Sequence, residues 1–96
     1  MDTVSNLTDY QLLVVIVNFG QGSKVLKICK QAGIPGGTII IGRGTHKQPL
    51  LEFLELADTR KEIVLMIAGI RRINPALEAL NEKMKLYKPN HGIAFV

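Results

Sequence analysis

The chain has 96 residues, room for one small domain and no second. Hydrophobic residues make up 47% and charged residues 21%, which fits a folded globular chain and excludes a disordered one. Twelve Lys and Arg against eight Asp and Glu leave +4, a mild excess spread along the chain that favours anionic ligands but lacks the concentrated basic face of a nucleic-acid reader.

The opening MDTVSNLTDY is polar and carries two acids, so it does not read as a signal peptide. Residues 10–17 (YQLLVVIV) form an apolar, β-branched run that predicts a buried strand. After the loop NFGQG, Ser23 is placed to cap a helix running to about Ala32. In it Val25, Leu26, Ile28, Cys29 and Ala32 recur at helical spacing, with Gly33 as its stop. Past the IPGG turn, Thr38–Arg43 predicts a second strand, followed by the loop GTHKQP. Leu50–Ala57 reads as either a short helix or a loop segment with an apolar face. Glu62–Ile70 is the third strand. Asn74 and Pro75 are placed to start a second helix that turns Leu77, Leu80 and Met84 inward. A loop through Gly92 then leads into a fourth strand, Ile93–Val96.

Strand, helix, strand, repeated once, predicts an α+β fold: a ferredoxin-like βαββαβ sandwich over residues 1–96, with two helices on one face of a four-stranded antiparallel sheet. A sheet covered on one side alternates apolar and polar residues. The runs VVIV, TIII and IVLMI do not alternate. Two helices cover one face only, so the other is expected to be buried by further copies of the chain.

Enzyme templates are sparse. There is no serine nucleophile elbow and no pair of histidines at metal-ligand spacing, and Cys29 lies on the helix face read as core. A lone cysteine also excludes an internal disulfide and fits a reducing compartment. No apolar run reaches the ~18 residues of a membrane span, so a cytoplasmic protein without membrane insertion is expected. Two loops carry anion-binding potential. Gly42–Lys47 offers backbone N–H groups, Thr45 and either Arg43 or Lys47, and Lys88–Gly92 is a second polar loop; each also reads as a plain connector.

The stretch AGIPGGTIIIGRGT, then KEIVLMI, a helix and NHGIAFV, resembles the P-II family of nitrogen regulatory signalling proteins. The likeness runs from about Leu12 to Val96. It is clearest in Gly33, Ile34, Gly36 and Thr38 before strand two and in Gly92, Phe95 and Val96 at the end, with a divergent P-II-like branch as the closer fit. The resemblance implies a cytoplasmic homotrimer of ferredoxin-like subunits that binds an adenine nucleotide (ATP, ADP or AMP) between subunits. It also implies signal transduction to a target protein, a transporter or metabolic enzyme, rather than catalysis. By position it places Thr38 near the adenine, Gly44 and Thr45 at the root of a mobile loop, Ile63 and Val64 along the neighbouring strand, and Asn90, His91 and Gly92 at the phosphates.

Three features depart from the family pattern. Ile93 stands where a phosphate-binding lysine is expected. The loop segment has no Tyr to accept a nucleotidyl group, and its leucines Leu50, Leu51, Leu54 and Leu56 predict a packed helix or a hydrophobic docking surface. The family's C-terminal arginines lie beyond Val96, so either the domain is truncated there or this branch dispenses with them. The alternatives are an oligomeric adaptor without nucleotide binding and, from the faint match of Gln21-Gly22 to an acylphosphatase phosphate loop, an enzyme. RNA recognition on this topology uses aromatics on the central strands, and the third strand has none.

Overall fold

The computed structural model describes residues 9–44 and 60–96. The expectations for Thr45, for the segment 50–57 and for most of the loop between strands two and three lie outside the described residues. In chain order the elements are β1 (Tyr10–Asn18), α1 (Gly22–Gln31), β2 (Thr38–Arg43), β3 (Arg60–Gly69), α2 (Ile70–Met84) and β4 (Ile93–Phe95). The strands form one antiparallel sheet in the order β2-β3-β1-β4, the arrangement expected of a ferredoxin-like sandwich.

Register fixes which side chains share a face. Val15 pairs with Val64 and Ala94, Leu13 with Met66, and Ile39 with Val64. With Val17 and Ala68 they line the helix-covered side, where Leu13, Val15, Val17, Val64, Met66 and Ala68 are all buried. The helices close this core with Val25, Ile28 and Cys29 from α1 and Ile73, Ala76, Leu80 and Met84 from α2, joined by Ile34. Leu77, expected inward, is only partly buried at the margin.

The opposite face carries Leu12, Val14, Ile16, Ile40, Ile63, Leu65, Ile67, Ile93 and Phe95, paired as Leu12 with Ile67, Ile16 with Ile63 and Ile93, and Val14 with Phe95. Leu12, Ile40, Ile67, Ile93 and Phe95 are exposed, Ile67 by 64%. The missing alternation in the sequence thus corresponds to an open face of apolar side chains bordered by two edge strands.

Both helix starts differ from expectation. Ser23 does not cap α1; the helix begins at Gly22 without a side-chain cap from Gln21. Instead the Gly22 N–H donates to Glu62 Oε1 at 2.6 Å, so a carboxylate from β3 takes the amide. The second helix begins at Ile70, four residues before Asn74, and contains Pro75. Early winding carries Ile73 into the core at 1% exposure, and that burial outweighs the hydrogen bond Pro75 cannot donate to the Arg71 carbonyl. Strand three accordingly runs from Arg60 to Gly69 rather than to Ile70. Gly33, at φ +105°, ends α1 as expected, and its carbonyl accepts from Arg72 Nη1 at 2.6 Å. No helix among the described residues is long and apolar enough to cross a membrane.

Candidate functional site

Chemistry-bearing side chains gather where β1 ends, β3 begins and the α2–β4 loop returns to the sheet. Asn18 is at the centre. Its Oδ1 accepts from Lys61 Nζ, and its Nδ2 donates to the Asn90 carbonyl at 3.1 Å. One amide therefore ties β3 to the incoming loop and fixes the ammonium of Lys61 beside it. Asn90 adopts the left-handed conformation at φ 65°. Gly92, at φ +118°, passes so close to β1 that a Cβ would stand 2.7 Å from the Ile16 carbonyl oxygen.

His91 is anchored as well. Its Nδ1 lies 3.1 Å from the Met84 carbonyl, one of the orphan acceptors at the end of α2. A carbonyl only accepts, so Nδ1 carries the proton. Arg60 stacks over Phe19, its guanidinium carbon 3.9 Å from the ring centroid, at the same end of the sheet.

Two clefts flank the Asn18–Asn90 bridge. On the open-face side, Ile16, Val17, Asn18, Lys61, Asn90, Gly92 and Ile93 surround about 260 Å³. On the helix side, about 480 Å³ is enclosed by Asn18, Gln21, Lys24, Lys83, Met84, Lys85, Asn90 and His91. Neither lining contains a carboxylate.

The residues singled out from sequence divide into separate places. Asn90, His91 and Gly92 lie together at these clefts, next to edge strand β4. Thr38, Arg43 and Gly44 lie along or just past β2, the opposite edge. Three strand spacings separate the edges, ~14 Å. Ile63 is on the open face, partly buried, whereas Val64 is fully buried among the core residues beneath the helices. Within one chain these residues do not form one pocket. The helix-side cleft brings in residues the sequence reading passed over or treated as scattered surface charge: Asn18, Gln21, Lys24, Lys83 and Lys85. They come from four segments, and only the antiparallel packing of α1 against α2 assembles them.

Burial pushes the Cys29 thiol up to about 11, so it is a poor nucleophile at neutral pH. Among the described residues no cluster of His, Cys, Asp and Glu is arranged to hold a metal ion.

No protein-family model and no curated protein matches the chain. Solved structures do. A PII-like signalling protein from Thermus thermophilus aligns over 91% of this chain and 85% of its own, at 17% identity and a TM-score of 0.66. CPII from Thiomonas intermedia, bound to ADP, AMP and acetate, aligns over 88% of this chain and 79% of its own, at 14% identity and 0.64. Arabidopsis thaliana PII bound to citrate aligns over 91% and 71%, at 16% identity and 0.67. At these identities the likeness is one of architecture: the chain has the ferredoxin-like fold of PII and PII-like signalling proteins.

Proposed function

We propose that the chain is a cytoplasmic PII-like regulatory protein, a homotrimer that senses an adenine nucleotide between subunits and acts on a partner protein rather than catalysing a reaction. The observation that carries this reading is the open sheet face, apolar from Leu12 to Phe95 and bordered by edges that hold different candidate residues. Packing copies through that face removes the apolar surface from water and brings the β2 edge of one subunit towards the β4 edge of the next. Thr38, Arg43, Gly44, Thr45 and Ile63 would then contribute from one subunit, with Val64 through its backbone, and Asn90, His91 and Gly92 from another. The fold it shares with CPII, which binds ADP and AMP, supports the choice of nucleotide.

The test is calorimetric titration with ATP, ADP and AMP. Binding that is weakened by T38A and H91A supports the reading; no heat with any of the three sinks it. Ile93, apolar where the resemblance expects a lysine, favours a second reading: an oligomeric adaptor without nucleotide binding. An acylphosphatase-like enzyme fits less well, because Glu62 holds the Gly22 amide such a loop would turn to phosphate, and a carboxylate there repels a phosphate.

A further inference from the structure

We propose that a second copy of the chain seats its Ile41 in the apolar groove between β4 and α2, so that copies join edge to edge and head to tail. This rests on the association in the proposed function and adds to it a contact outside the open face.

Ile41 is an aliphatic side chain that the open face does not account for. It follows Ile39 by two residues along β2 and so shares its side of the sheet, the helix side, where Ile39 packs against the core. Ile41 nevertheless is 64% exposed, as much as Ile67 at the middle of the open face. Stacking copies through the open face alone would leave Ile41 in water.

The opposite edge of the sheet carries the complement. Leu77, Leu86, Tyr87, Ile93 and Ala94 line a groove of about 480 Å³ along β4, and Glu78 is the only charged residue in its lining. Ile93 belongs both to this groove and to the exposed residues of the open face, so the groove continues that face round the β4 edge. An exposed aliphatic knob and an apolar groove are each unfavourable while they face water, and each relieves the other. In one chain they lie on opposite edges, three strand spacings or ~14 Å apart, so a copy does not fill its own groove. The occupant is a second copy because both halves of the contact are on this chain and the groove is continuous with the face that association covers. A contact between unlike surfaces is heterologous: each copy gives a knob to one neighbour and takes one from another, and the rotation closes into a ring.

The test is cross-linking of the full chain with a short bismaleimide. Cys29 is buried, so the parent should stay uncross-linked. Ile41→Cys and Tyr87→Cys replace exposed side chains, and circular dichroism verifies the fold of each variant. Either variant alone should give no product, their equimolar mixture should give covalent dimers, and I41C/Y87C in one chain should give covalent trimers. In sedimentation equilibrium, Ile41→Asp should weaken association about tenfold or more, while Lys27→Ala, exposed on α1, should change it by less than about twofold. Should I41D unfold, the cross-linking decides. The proposal is overturned if the mixture gives no product, if I41C alone cross-links as well as the mixture, if I41C/Y87C stops at dimers, or if a folded I41D associates as the parent does. Any of these with a trimeric parent would leave the proposed function standing on the open face alone, and a monomeric parent would overturn both. Covalent trimers from a chain that binds no nucleotide would sink the nucleotide reading and leave this one in place.

Discussion

Glu62→Ala removes the carboxylate that accepts the first amide of α1. The Gly22 N–H lies 2.6 Å from Glu62 Oε1, and Gly22 itself is buried, so truncation leaves an amide with little access to water. A hydrogen bond to a charged acceptor contributes ~1.5–3 kcal/mol. The favourable placement of the carboxylate at a helix N-terminus falls within that figure. Glu62 is only partly buried, which places the loss towards the lower end, about 2 kcal/mol, or about 10 °C in Tm for a domain of this size. Glu62→Gln keeps an acceptor and loses the charge, so about 1 kcal/mol is expected. Ser23→Ala should change stability by less than about 0.5 kcal/mol, because its hydroxyl caps nothing. Urea unfolding followed by circular dichroism, at one chain concentration so that association contributes equally, separates the three. A loss below about 0.5 kcal/mol in E62A, or a larger one in S23A, would show that the helix start is held locally and refute the cross-strand cap.

Gly92→Ala should cost about 1–3 kcal/mol, since it combines φ +118° with a Cβ only 2.7 Å from the Ile16 carbonyl oxygen; thermal unfolding measures it, and a Tm within about 2 °C of the parent would contradict the close approach. For Cys29, raised to about 11 by desolvation, about one thousandth is thiolate at pH 8 in the native state. A disulfide reagent should therefore label it slowly at pH 8 and much faster in urea, and prompt native labelling would place the thiol outside the core. The sign for stability follows: burial favours the neutral thiol, so Cys29 is indifferent below the ordinary thiol range, and its ionisation in the unfolded chain lowers stability as pH rises from there to about 11.

Much of the fold was legible because it is written in local pattern. Thr38–Arg43 stands as expected from its β-branched run, Gly33 stops α1 with positive φ, and the non-alternating strands correspond to an open apolar face. What local pattern missed depends on partners far away in sequence. Ser23 is a good capping residue by type, but Glu62, forty positions on from Gly22, reaches the helix start instead. Asn74-Pro75 has the form of a helix start, yet core burial of Ile73 winds the helix from Ile70. The cationic cleft was illegible for the same reason. Lys24 and Lys83 are 59 positions apart, and they line one cleft only once α1 lies antiparallel to α2. Thr38 and His91, linked by resemblance, are placed by the fold at opposite edges of one sheet.

The open face makes association the claim from which the proposed function follows, and molar mass in solution tests it most directly. Sedimentation equilibrium of the full chain should give three times the single-chain mass. Ile67→Lys, which puts a charge on a side chain 64% exposed in the isolated chain, should return it to one while circular dichroism stays unchanged. A parent chain that remains monomeric at about 100 µM would contradict the account, because the aliphatic face would then be open to water in the working protein.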